Sequence, residues 1–147
     1  MLDTDDRVRM DAIRDQIRAG GRRWTIAKGA IVEALLAGAG HLSAQQIHED
    51  MGKRYPNIDP STVYRALLTL ADEGVVHTLD QPGEARYGLA DEPHHHAICG
   101  RCGLEAEIPA AAVSRLLTAA GAATGFQFGR ESVTLTGRCA SCGSDSR

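Results

Sequence analysis

Four cysteines, Cys99, Cys102, Cys139 and Cys142, form the whole cysteine complement, in two Cys-x-x-Cys pairs, the first directly after the triplet His94, His95 and His96. That arrangement is metal chemistry. Structural zinc takes four thiolates or imidazoles in a tetrahedron, with sulfur at about 2.3 Å, and a two-residue spacer turns both sulfurs of a pair toward one ion. Two such knuckles close one site. Disulfides and a redox pair are the competing chemistries. Residues 1 to 15 are charged and lack the apolar run of a secretory leader, so a reducing cytoplasm is expected, where structural disulfides are disfavoured. A redox pair stands singly at a helix start after a strand, whereas two pairs rich in Gly and small residues occur here. Structural zinc held by the four thiolates is therefore the expectation.

The elements that must position these residues follow from composition and pattern. The 147 residues suffice for one domain or two small ones, and no apolar run approaches membrane-spanning length. A net charge of −3 gives the chain as a whole no attraction for nucleic acid, yet residues 7 to 28 carry a local surplus of five positive charges. That surplus is either a solvated helix face or a phosphate-contacting patch, in which Arg22 and Arg23 are the candidates.

The first half reads as helices. Residues 2 to 19 place Val8, Ile13 and Ile17 at loosely helical spacing and stop at Gly20-Gly21. Thr25 is placed to cap a second helix, with Ala27, Ala30, Ile31, Ala34 and Leu35 along one side and Gly38 at its end. Ser43 opens a third, with Ala44, Ile47 and Met51 apolar. After a Tyr55-Pro56-Asn57 turn, Asp59-Pro60-Ser61 opens a fourth, with Val63, Ala66, Leu67 and Leu70 as its buried face. Segments 75–79 and 85–89 are β-prone and joined by Asp80-Gln81-Pro82-Gly83. Three helices followed by a two-stranded wing describe a winged helix-turn-helix over residues 1–89, the alternative being a generic helical bundle. In the winged module the third core helix enters the major groove of double-stranded DNA. Ser61, Thr62, Tyr64 and Arg65 on the helix from Asp59 are the candidate contacts.

From His94 the character changes. Residues 94–99 and 104–108 read as strands, 109–121 as an Ala/Leu helix opened by Pro109, and 126–136 as an alternating final strand. The fold class is α+β: a winged-helix domain, a hinge at 90–93, and a small α/β domain over 94–147. One helix on a small sheet leaves apolar surface to cover, so the second domain is expected to dimerise.

The segments Asp59-Pro-Ser-Thr-Val-Tyr-Arg-Ala-Leu, His94-His-His-Ala-Ile-Cys-Gly-Arg-Cys-Gly and Cys139-Ala-Ser-Cys resemble the ferric uptake regulator family of metal-sensing transcription factors, from about residue 20 to 143. The resemblance implies a cytoplasmic homodimer on operator DNA, not an enzyme. It further implies a structural zinc and a second, regulatory divalent metal near the hinge. Residue by residue, Cys99, Cys102, Cys139 and Cys142 match the structural site, and Tyr64 and Arg65 the DNA contacts. His94 and His96 match the sensor histidines, which a strand's period of two puts on one face. Glu107 matches a second-strand carboxylate ligand, and His41 the histidine by which ferric and peroxide sensors bridge their domains.

Two departures bear on the sensed metal. Gly88 stands beside Tyr87 where ferric sensors place Glu and peroxide sensors Asp. His77 stands where zinc uptake regulators place a ligand, while the cysteine that completes their site is absent near Ala90, leaving Asp91 or Glu92 as the candidate substitute. A set of His77, His94, His96 and Glu107 suits tetrahedral zinc; adding His41 suits iron, manganese or nickel. Zinc uptake control is the leading expectation and iron the alternative. The family's third metal site is expected to be impaired, because Pro93, Ser114 and Glu131 replace its His, Glu and His. His95 is expected to face away from the sensor histidines, and His48 to face solvent. A zinc deaminase or hydrolase is the reading from another class; it needs His-x-Glu before its Cys pair and an open zinc position, and this chain offers neither.

Overall fold

In a computed structural model, which describes residues 1–38, 40–79, 83–90, 94–128 and 133–143, the helices begin where the capping residues put them. Asp3, whose side chain accepts from the Asp6 N–H, opens α1 (Thr4–Ala19), and Thr25 does the same for α2 (Ile26–Ala37). A two-residue strand, β1 (Leu42–Ser43), leads into α3 (Ala44–Gly52), where Ser43 and Gln46 form a reciprocal capping box. Asp59 caps α4 (Pro60–Asp72), with Pro60 in the first turn, and the chain then forms β2 (Val76–Leu79) and β3 (Arg86–Leu89). The second half runs β4 (His94–Cys99), β5 (Glu105–Pro109), α5 (Ala110–Thr124), β6 (Thr134–Gly137) and a short α6 (Ala140–Gly143). The winged-helix plus α/β class expected from the sequence is therefore what the chain adopts. Two compact units divide it, Met1–Asp91 and Glu92–Arg147. Most of the expected hinge, with Asp91, Glu92 and Pro93, lies outside the described residues, as do Asp80 to Pro82 of the wing turn and Glu131.

The first unit has a continuous core. Ile13 and Ile17 of α1, Ile31, Val32 and Leu35 of α2, Ile47 and Met51 of α3 and Val63, Leu67 and Leu70 of α4 pack with Val75, Val76 and Tyr87. Each aliphatic side chain of this size removed from water contributes about 1.5–3 kcal/mol. Val8, expected on the buried stripe, is 63% exposed. The central helix α2 is buried on several sides rather than one, which is why its sequence shows so little periodicity. Three strands, not two, make the wing sheet, in the order β1-β3-β2 and antiparallel throughout.

Lys28 was counted within the basic segment, but it leaves the solvent. Its Nζ bonds Glu73 Oε1 at 2.6 Å and the Arg23 carbonyl at 2.9 Å, tying the start of α2 to the end of α4. Removing one partner of a buried pair strands the other's charge. Lys28→Ala is therefore expected to destabilise the first unit by about 3–5 kcal/mol, read as a fall in the urea midpoint, whereas replacing Lys28 and Glu73 together with apolar residues should cost far less. His48 also departs from expectation: its Nε2 meets the Ile58 carbonyl at 2.9 Å, fastening α3 to the segment that launches α4.

The second unit has β4 at the centre of its sheet, antiparallel to β5 and parallel to β6. Gly121, expected to end the helix, lies inside α5, which stops instead at Gly125 in a left-handed conformation (φ 75°). A Cβ at Gly121 would come within 2.9 Å of the Phe126 carbonyl, so the glycine serves the close return of the chain rather than termination. Residues 126–128 are not strand, and β6 begins only at Thr134. Ile98, Cys99 and Val113 are the buried apolar residues described in this unit, while Leu116, Phe126, Phe128 and Leu135 are exposed. No helix of the described residues is long and apolar enough to cross a membrane.

Candidate metal centres and nucleic-acid interface

The four cysteines converge within the second unit. The first knuckle is the β4–β5 turn, where the Gly103 N–H bonds the Cys99 carbonyl; the second is α6, where the Cys142 and Gly143 N–H groups bond the Cys139 carbonyl. All four sulfurs lie within 4.8 Å of one another, and Cys102 Sγ to Cys139 Sγ is 3.7 Å. A tetrahedron with bonds of about 2.3 Å has edges of about 3.8 Å, so the set fits zinc as it stands. Backbone N–H groups of Cys139, then Cys102 and Arg101, hold the Cys99 thiol down to about 6, while a hydrogen bond with Cys139 and then desolvation push Cys142 up to about 12. N–H groups aimed at sulfur stabilise the ligand in its thiolate form.

The histidines form two pairs, one in each unit. In the first unit His41, which is buried, immediately precedes β1, and His77 lies on β2. The centre strand β3 runs between them, with His77 opposite Gly88 and Leu42 opposite Tyr87. Because Gly88 has no side chain, the two imidazoles reach over it and meet at 2.5 Å between Nε2 atoms. Two ring nitrogens pointed at one another share a proton or, as neutral donors, converge on one cation. A Cβ on Gly88 would sit 2.5 Å from His41 Nε2 and 3.1 Å from His77 Nε2, so a larger residue there would force the His41 ring to shift.

In the second unit His94 and His96 share a face of β4, their rings 4.7 Å apart and at 79° to one another, with His96 fully buried. His95 faces the other way and its Nδ1 accepts the Val133 N–H at 3.0 Å, a structural role. Glu107 pairs in register with His96 but is exposed. Ser114, at a position of the family's third site, donates its hydroxyl to the Ala111 carbonyl within its own helix.

On α4, Ser61, Tyr64 and Arg65 are exposed and Thr62 is half-buried, its N–H held by Asp59. That N–H, then the Thr62 hydroxyl, holds the Asp59 carboxyl below its ordinary value. Leu68, 53% exposed on the same face, was not singled out in the sequence, because an isolated exposed leucine has no pattern that marks it. Arg22 and Arg23 are exposed between α1 and α2, so the basic segment does present phosphate-seeking groups without Lys28.

The profile of the ferric uptake regulator family matches residues 19–136. The zinc uptake regulation protein of Mycobacterium tuberculosis is 33% identical, over 84% of this chain and 97% of that protein. The peroxide operon regulator of Bacillus subtilis is 26% identical over 87% and 89% respectively. Among solved structures, the ferric uptake regulator of Helicobacter pylori superposes with a TM-score of 0.73 at 24% identity, over 93% of this chain and 96% of that one.

Proposed function

Because the chain belongs to the ferric uptake regulator family of metal-responsive transcription regulators, which are not enzymes, we propose that it is a cytoplasmic homodimeric repressor that binds operator DNA under zinc control. The observation that carries the zinc reading is the meeting of His41 and His77 over Gly88, where an iron-sensing relative would carry a carboxylate. As donors for the regulatory zinc we assign the imidazoles of His41 and His77 in the first unit and of His94 and His96 in the second, the ligand type that zinc takes. The four cysteines hold the structural zinc. Ligation from both units restricts how the reading helix α4 is presented, so free energy of metal binding becomes DNA affinity by reciprocal coupling. Exposed apolar groups on α5 and β6 support self-association through the second unit.

One observation favours the alternative of an iron-type site: Glu107 stands across from His96 and would raise the donor number to five, which suits iron, manganese or nickel. The experiment that separates the two is capture of genomic fragments by the purified protein with zinc, with ferrous iron, and with a chelator that spares the structural site. Enrichment with zinc alone is expected; enrichment with iron alone would favour the five-donor set, and none under any metal would overturn the DNA-binding reading.

On captured DNA at fixed salt and metal, Tyr64→Ala and Arg65→Ala are each expected to weaken binding by about 1–3 kcal/mol in a mobility-shift titration. Arg22→Ala should weaken all sequences alike and flatten the salt dependence.

A further inference from the structure

We propose that Leu68 is a base-reading residue of α4 that recognises the C5-methyl group of a thymine in the major groove, adding a specificity position beyond those of Tyr64 and Arg65. The inference rests on the DNA-binding reading above and says which base chemistry one further side chain takes. Helix α4 sends Val63, Leu67 and Leu70 into the core of the first unit, where they are buried. The opposite face carries Ser61, Tyr64, Arg65 and Leu68, all exposed, at i, i+3, i+4 and i+7. That is the spacing with which a helix lying in the major groove presents side chains to base edges. Leu68 is 53% exposed, so the core gains little from it, and packing does not account for an aliphatic group on that polar face. The face ends just beyond it. Thr69 donates its hydroxyl to the Arg65 carbonyl at 3.0 Å, and Asp72, the next residue on the same stripe, carries a charge that phosphates repel.

Leucine has one complement among the base edges. Every group they present in the major groove is a hydrogen-bond donor or acceptor except the thymine methyl. Pressed against a cytosine amino group or a guanine oxygen, an aliphatic side chain would displace water and return no hydrogen bond. Against a thymine methyl it takes apolar surface of both partners out of water. With a rise of about 1.5 Å per residue, Leu68 lies about 4.5 Å along the helix axis from Arg65, while base pairs stack about 3.4 Å apart. Its thymine therefore falls one or two base-pair steps from the base that Arg65 addresses.

The test uses full-length zinc-loaded protein and an operator obtained by the capture experiment above, with each thymine of one half-site replaced in turn by deoxyuridine, which pairs identically and lacks only the methyl. At one position the replacement is expected to weaken the parent about fourfold, the worth of one buried methyl. A C·G pair there should weaken it about 5- to 150-fold. Leu68→Ala should keep the parent's urea midpoint, bind the thymine operator about 3- to 10-fold more weakly, and no longer distinguish thymine from deoxyuridine at that position. A variant that still senses the loss of the same methyl, or a parent that senses the loss of none within two base pairs of the Arg65 contact, would overturn the proposal. So would a Leu68→Ala protein that loses only the joint occupancy of neighbouring operators, which would assign Leu68 to a contact between copies of this chain. In each of these cases, weakened binding by Arg65→Ala would leave the DNA-binding reading standing. If Leu68→Ala and Arg65→Ala both bind like the parent, both readings fall.

Discussion

Cys139→Ser is expected to lose the structural zinc and unfold the second unit while the first stays folded. The reason is the contrast between the two interiors. The first unit packs a contiguous core drawn from four helices and its wing sheet, whereas Ile98, Cys99 and Val113 are the buried apolar residues described in the second. A unit of this size with so little apolar burial needs a staple. Structural zinc supplies about 10–16 kcal/mol of apparent binding free energy near neutral pH, and that energy is available only to a folded state that gathers the ligands. The sulfurs come from two places far apart in sequence, the β4–β5 turn and α6, so the ion also closes the loop that contains α5 and β6. A serine hydroxyl in place of one thiolate is a poor ligand for zinc. The measurement is zinc release to a chromogenic chelator, followed by hydrogen exchange resolved by segment: amides of 94–143 should lose protection and those of α2 and α4 keep it. Retained zinc with protected β4 amides would sink the four-thiolate assignment.

The second large effect is expected from His96→Ala, which should abolish metal-dependent DNA binding without unfolding either unit or releasing the structural zinc. His96 is fully buried and lies next to His94 on one face of β4, three residues before Cys99 of the first cysteine knuckle. A coupling of about 1–3 kcal/mol between regulatory metal and DNA corresponds to a 5- to 150-fold change in affinity, so the variant should bind operator equally weakly with and without metal. His95→Ala is the informative contrast. Its imidazole accepts the Val133 N–H, so its loss should lower the second unit's stability and leave the metal response intact. A His96→Ala protein that still tightens on DNA when zinc is added would place the sensor elsewhere.

The grouping of the candidate donors was legible in the residues because ligand spacing is a local property. Cys-x-x-Cys twice, and histidines at a strand's period of two, specify donors and facing before any tertiary contact exists. The helix starts were equally legible: Asp3, Thr25, Ser43 and Asp59 cap through bonds made within three residues of themselves. Helix ends were less so, since Gly121 looked like a stop but serves a close approach to Phe126.

What stayed hidden depends on segments far apart in the chain. Lys28 looked like a surface cation until Glu73, 45 residues on, drew it into the interior. Two-residue β1 shows no periodicity and exists only because β3 supplies its hydrogen bonds. The sequence presented His41 and His77 as ligands of rival sites, one iron-like and one zinc-like, and Gly88 as a missing carboxylate. By itself, then, the sequence determined the family, the winged-helix and α/β halves, the thiolate knuckles and the polar face of α4. Only the tertiary structure decided that His41 and His77 belong together and that Gly88 is the space between them, because sheet register, not sequence distance, sets which side chains meet.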